Sequence, residues 1–187
     1  MASKSRLIKS RLKSIEAAFG PDHPKVASSL DELAHFYKVQ GNIKRAESFY
    51  TRALRIKRKS LREDHPEIAQ SLNNLAVLYD KMGDYSEAEL LYRNALTIVE
   101  HAFDPDHLYL ACCLKNLAVL YKSQGKYEKA EPLYKRSLAI REKRLGRFHA
   151  DVAVVLRSMA SLYKRAGKNH EAKKFKERAK SIFSKAS

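Results

Sequence analysis

The stretch NLAVLYDKMGDYSEAELLYRNAL at residues 74–96 returns as NLAVLYKSQGKYEKAEPLYKRSL at residues 116–138, 42 residues later. The same offset carries His23 to His65, His107 and His149, and Gly41 to Gly83, Gly125 and Gly167. It also carries Tyr37 to Tyr79, Tyr121 and Tyr163, and Ala46 to Ala88, Ala130 and Ala172. Ala27, Leu30 and Ile56 head further columns of four identical residues, and no column needs a gap. The chain is therefore one unit copied four times, and repetition on this scale governs every later reading.

Each unit reads as two helices. Helix A starts near Pro24, Pro66, Leu108 and Ala150, and its apolar residues, such as Ala27, Leu30, Leu33, Ala34 and Tyr37, recur at helical three-to-four spacing. Asp22, Asp64 and Asp106 stand just before it, where a carboxylate caps orphan N–H groups and meets the positive end of the helix dipole. Pro24 and Pro66 suit a first turn, which does not need their missing N–H. The glycine column ends helix A by accepting the left-handed conformation. Helix B follows at once, with Ala46, Phe49, Tyr50, Ala53, Leu54 and Ile56 on one stripe. So short a connection makes A and B antiparallel neighbours. The alanine columns let helix backbones approach, and tyrosines fill the wider gaps. One pair cannot bury both its faces, so stability comes from stacking.

Residues 1–19 fit the register of a leftover helix B, with Leu7, Ile8 and Leu12 aligned on Phe49, Tyr50 and Leu54. The Ser-rich, basic segment up to Gly20 is like a mitochondrial transit peptide in composition, but the repeat register absorbs it. Residues 20–187 hold the four repeats. In the last helix, Lys174, Lys176 and Lys180 replace apolar residues of earlier copies, as a terminal cap requires. Pro132, early in the third helix B, must remove a hydrogen bond or bend that helix.

The small residue and Tyr on helix A, the Gly turn, and the Ala and aromatic positions on helix B resemble the tetratricopeptide signature. The usual tetratricopeptide period is about 34 residues. The longer period, with DHP at residues 22–24 and 64–66 and LNNLA at 72–76, resembles the repeat domain of kinesin light chains and their bacterial and nephrocystin-type relatives. The resemblance implies an all-α fold, a right-handed solenoid of helix-turn-helix repeats whose A helices line a concave groove. The long heptad segment that joins kinesin light chains to the motor heavy chain is not found in this stretch.

Composition narrows the function classes. The 187 residues carry 37 Lys and Arg against 21 Asp and Glu, a formal charge of +16. That excess points to anionic partners without saying which kind. Cys112 and Cys113 are adjacent and lack other partners, so neither a disulfide framework nor metal-ligand spacing exists; this fits a reducing, cytoplasmic setting. No apolar run approaches the roughly 20 residues that cross a bilayer. Equivalent histidines of stacked repeats lie about 10 Å apart, too far to converge on one metal, so that column reads as a turn motif hydrogen-bonded at the start of helix A. No phosphate loop, HExxH or nucleophile elbow is present. The expectation is a protein that is not an enzyme and has no cofactor.

The least apolar stripe of helix A reads Ser28, Glu32, His35, Lys38 in repeat one and Gln70, Asn74, Val77, Asp80 in repeat two. Repeats three and four give Cys112, Asn116, Val119, Lys122 and Val154, Ser158, Ser161, Lys164. By resemblance to kinesin light chains, Asn74 and Asn116 hold a peptide main chain, while Glu32 and Ser158 depart from that column. The resemblance also implies an acidic peptide with an aromatic anchor. Lys38, Lys122 and Lys164, joined by Arg141, would pair with its acids, and Val77 and Val119 would offer an apolar floor. The expected function is an adaptor taking a peptide in its groove. One rival is nucleic-acid or anionic-surface binding through helix B cations such as Arg58 and Arg144; another is a structural or oligomerising module.

Overall fold

The computed structural model describes residues 2–185. Among them are nine helices and no strand: α1 (Ala2–Phe19), α2 (Pro24–Val39), α3 (Ile43–Ser60), α4 (Pro66–Met82), α5 (Tyr85–Ala102), α6 (Leu108–Ser123), α7 (Tyr127–Leu145), α8 (Ala150–Arg165) and α9 (Asn169–Lys185). Helices α2, α4, α6 and α8 are the A helices; α3, α5, α7 and α9 are the B helices. The chain forms two compact units, Met1–Ile98 and Val99–Ser187.

In the first unit α1 packs on α2, α2 on α3 and α3 on α4. In the second, α6 packs on α7, α7 on α8 and α8 on α9. The repeat columns are the core. Leu30, Leu72, Leu114 and Leu156 are buried, as are Ala46, Ala88 and Ala130, and Tyr50 and Tyr134 are among the largest fully enclosed side chains. Each buried Leu-sized side chain contributes about 1.5–3 kcal/mol against exposure.

The A helices begin where the sequence places them, and the histidine column makes the expected hydrogen bond at each start, while the aspartate before it is not the cap. His23, His65, His107 and His149 are the N-caps, each accepting through Nδ1 from the backbone N–H two residues on, at 3.1–3.2 Å. The aspartates one residue earlier turn to cations instead. Asp22 meets Lys59 at 2.6 Å and Arg55 at 3.2 Å, Asp64 meets Arg62 at 3.0 Å, and Asp106 meets Lys143. For Asp22 and Asp106 the basic end of helix B thus ties down the loop that leads into helix A of its own repeat, while Arg62 pairs with Asp64 within the loop itself. The Lys59 bond, above all, holds the Asp22 carboxyl below its ordinary range.

At the other end, Gly83 is the C-cap of α4 with φ +84°, and its equivalents Gly41, Gly125 and Gly167 also have φ from +73° to +76°. Helix α7 runs on through Pro132. In α1, Ile8 and Leu12 are buried as the register implies, but Leu7 is 70% exposed. Its counterpart Phe49 stacks on Tyr37 of the preceding helix A, and α1 has no such preceding helix among the described residues.

Candidate functional site

The helical period leaves the predicted stripe as the least enclosed face of each A helix. In the first unit, Asn74, Val77, Asp80 and Lys38 are half-buried, and Glu32 and His35 are exposed. In the second, Asn116, Val119, Lys122 and Ser158 are half-buried and Lys164 is exposed. Half-burial along one stripe is the signature of a recessed surface that still meets solvent.

The first unit carries an open hollow of about 780 Å³. Asn74 and Gln70 of α4, Asp31, Glu32 and His35 of α2, and the apolar groups Ile8, Phe36, Val39 and Tyr50 line it. Asn74 and Glu32 were legible from the stripe. Ile8, Phe36 and Val39 were not, because they come from α1 and from the flank of α2 beside its Gly turn. Val39 is 66% exposed, a large apolar group left open to a ligand. The charge of this hollow is not basic. Glu32 is bonded by Arg11 at 3.2 Å, and burial outweighs the Lys57 hydrogen bond in raising the Asp31 carboxyl. Lys38 stands 5.9 Å from the Tyr50 ring, and burial, followed by the repulsion of Lys81, lowers its ammonium.

The second-unit stripe carries Lys122 and Lys164 and no acid. Burial, followed by the repulsion of Arg165, lowers the Lys122 ammonium. A half-buried cation facing another cation is stabilised by any carboxylate brought beside it. Asn116, Val119 and Lys122 share one face of α6 at three-residue steps, so a carboxamide, an apolar surface and a cation lie in succession. A carboxamide both donates and accepts, which matches an extended main chain whatever its side chains.

Arg141 sits deeper than the other three cations of the set. Expected among the groove cations, it is only 8% exposed, and its Nη1 donates to Asp151 Oδ2 at 3.0 Å. One arm of the guanidinium is thus paired inside the stack, while its buried Nε has no hydrogen-bond partner. The Ser158 hydroxyl is also engaged, donating to the Val154 carbonyl at 3.1 Å. Cys113 is buried, which pushes its thiol up to about 12, and Cys112 is half-buried; both are unbonded thiols. Among the described residues no three His, Cys, Asp or Glu side chains gather as a metal site, and no helix is long and apolar enough to cross a membrane.

Stacked helical hairpins of fixed period with a polar stripe along the A helices define a helical-repeat protein of the interaction-scaffold kind. The tetratricopeptide-repeat profile matches residues 26–101, 88–143 and 123–185, and the chain belongs to that family. Solved structures of similar fold include kinesin-light-chain-like repeat proteins. BtubC (BKLC) from P. vanneervenii is 27% identical, with a TM-score of 0.87 over 99% of this chain and 75% of that one. A kinesin-light-chain-like protein of P. anserina with nearly identical TPR-like repeats is 24% identical, with a TM-score of 0.81 over 100% of this chain and 88% of that one. MamA, at 17% identity and a TM-score of 0.66 over 94% of this chain and 86% of that one, shares the fold. Among curated proteins none matches the chain in sequence.

Proposed function

We propose that the chain is a non-catalytic cytoplasmic adaptor in which the A-helix stripe of each unit takes an extended peptide segment, acidic at the second unit. The observation that carries this reading is Lys122. It is a half-buried cation beside Arg165, on the same face as Asn116 and Val119. A peptide carboxylate there relieves charge repulsion, and the Asn116 carboxamide suits its main chain. Lys164, exposed on α8, serves a second acid, and Ser158 stands where the other repeats offer a carboxamide or an acid. In the first unit Asn74 plays the part of Asn116, with Val77 as floor. There the hollow walled by Ile8, Phe36, Val39 and Tyr50 suits an apolar anchor rather than an acid, since Asp31 and Glu32 line it.

The nucleic-acid rival gains less support, because much of the helix B charge is already spent. Arg52 meets Glu16 at 2.7 Å, Arg136 meets Glu100 at 2.5 Å, and Lys59 and Lys143 hold the aspartates before the A helices. Fluorescence anisotropy with a library of acidic, aromatic-containing peptides tests the reading. Asn74→Ala with Asn116→Ala is expected to weaken binding by about 1–3 kcal/mol, the cost of lost buried hydrogen-bond partners, with the melting temperature held. Lys122→Glu shifts preference away from acidic peptides. Equal binding by wild type and the double Asn variant moves the ligand off the stripe and ends the proposal.

A further inference from the structure

The repeat columns give every residue of the α8–α9 pair three counterparts, and at one face the charge is inverted. Tyr50, Tyr92 and Tyr134 are buried; their column in α9 holds Lys176, which is exposed. Glu47, Glu89 and Glu131 give way to Lys173, and Leu54, Leu96 and Leu138 to Lys180. Two of these glutamates accept the hydroxyl of a tyrosine on the following helix A: Glu47 from Tyr79 and Glu131 from Tyr163, both at 2.8 Å. These columns therefore belong to the face on which the next helix A seats. On α8–α9 that face persists, but with ammonium groups where carboxylates and phenols stood.

The face is recessed. Arg157 and Lys164 of α8 and Lys173 and Lys176 of α9 surround an open hollow of about 440 Å³, whose apolar lining is Ala160 and Ala172. No carboxylate lines it. Ala160 and Ala172 stand in the small-residue columns that let helix backbones approach. Ala34, Ala46, Ala76, Ala88, Ala118 and Ala130, their counterparts, are fully buried. Further along α9, Phe183 is 40% exposed, although Lys57, Val99 and Arg141 in its column are all buried. Glu177 approaches Lys173 only to 3.9 Å, with both side chains mostly in solvent, so it neutralises little of the field.

We infer that this face docks an acidic amphipathic helix of a partner protein, laid across α8 and α9 in the position a further helix A would take. The small apolar floor and the open Phe183 match the leucine stripe of such a helix. The four cations match glutamates flanking that stripe. A polyanion with no apolar face leaves the alanine floor unmatched. Seating α1 of a second copy here sets Arg6, Lys9, Arg11 and Lys13, with Glu16 as the only acid among its described side chains, against Lys173 and Lys176. Like charges so juxtaposed oppose end-to-end stacking. The site shares Lys164 with the A-helix stripe but none of Asn74, Asn116 and Lys122, and Lys173 and Lys176 belong to it alone.

The test uses the full chain and a fluorescein-labelled helical peptide of about 18 residues, long enough for five turns. The peptide carries leucines at helical spacing flanked by glutamates, and a second version carries glutamine at every glutamate. Anisotropy is expected to show the Glu peptide bound at least about tenfold more tightly than the Gln peptide, by a margin that shrinks with salt. Lys173→Glu with Lys176→Glu abolishes binding and accepts a lysine version of the peptide instead; Asn74→Ala with Asn116→Ala leaves it unchanged. If the reversed variant does not keep the wild-type helical spectrum and melt, Lys173→Gln with Lys176→Gln replaces it, and a loss of at least about tenfold is still expected. Four results overturn the inference: no binding of the Glu peptide, equal binding of the Gln peptide, loss of binding in the Asn variant instead, or displacement by oligo(dT) that binds the same lysines more tightly. Self-association in sedimentation that the reversed variant removes assigns the face to a second copy and overturns it too.

Discussion

Tyr163 of α8 donates its hydroxyl to Glu131 of α7 at 2.8 Å, and Tyr79 of α4 makes the same bond to Glu47 of α3 at 2.8 Å. The bond joins a helix A to the preceding helix B, so it links one repeat to the next rather than the two helices of a hairpin. Burial, then the bond to Glu131, pushes the Tyr163 phenol up to about 12. Lys135, then Tyr163, holds the Glu131 carboxyl below its ordinary 4.5. Tyr163→Phe keeps the ring, which stacks on Phe175 at 5.1 Å, and removes only the hydroxyl. The expected cost is about 1 kcal/mol in urea unfolding at neutral pH. Because the folded carboxyl value is depressed, the stability Glu131 supplies is present above pH 4.5 and lost as pH falls through the lowered value. The gap between wild type and Tyr163→Phe therefore narrows across that acid window. A gap that is constant down to pH about 2, below an ordinary carboxyl value, shows that the bond is not linked to the carboxylate.

His149 caps α8 by accepting the Asp151 N–H at 3.1 Å. His149→Ala removes one N-cap and is expected to cost about 1 kcal/mol, while His149→Asn, a good N-cap residue, recovers most of it. Chemical denaturation of the three proteins decides. A neutral Ala variant returns the role to the aspartate position before the cap.

The boundaries of the A helices were legible because proline, histidine and the apolar period coincide at each start. The identity of the cap was not, since Asp106 and His107 are adjacent and either side chain suits the role on paper. Tertiary packing decides it: Lys143, near the end of the following helix B, draws Asp106 away from the helix. The stripe of helix A was legible from its period alone. The fate of Arg141 was not, because Asp151, its partner, lies across a turn on the next helix. The acidic lining of the first-unit hollow likewise depends on Asp31, which sits on α2 one residue off the stripe and reaches the hollow only once α1, α3 and α4 are in place.

Gly83 ends α4 at φ +84°. An added Cβ there meets nothing within 4 Å, so the cost of substitution is conformational rather than steric crowding by neighbours. Gly83→Ala is expected to destabilise by about 1–2 kcal/mol, the penalty of an L-residue in the left-handed region. Asn tolerates that region better, so Gly83→Asn costs less. A rise in melting temperature for the alanine variant, as at an ordinary glycine, contradicts the turn assignment.

Lys57 of α3 is the ammonium at the centre of the first unit. Its side chain is 5% exposed, and Nζ lies 2.7 Å from Asp31 Oδ2 of α2 and 3.0 Å from Ser71 Oγ of α4, so one group ties three helices. Glu67, at 3.9 Å, stands in the column of Asp151, as Lys57 stands in that of Arg141. Where the second repeat meets the third, these two columns hold Val99 and Tyr109, so that junction has no ion pair at these positions. Burial raises the Asp31 carboxyl despite the lysine. A folded value above the unfolded one means that the linked stability is full below pH 3.8 and declines as pH rises through the raised value. Desolvating the carboxylate therefore offsets much of the attraction. Removing Asp31 alone is a different matter, because it leaves the enclosed ammonium without its near counter-charge. Asp31→Ala is expected to cost about 3–5 kcal/mol, while Lys57→Met with Asp31→Asn stays within about 1 kcal/mol of wild type, as replacements of whole buried pairs do. Urea unfolding of both single variants and the double closes the cycle, with a strongly favourable coupling expected. A loss below about 1 kcal/mol in Asp31→Ala shows that Glu67 and Ser71 suffice to hold Lys57, and that the ion pair does not bind these helices together.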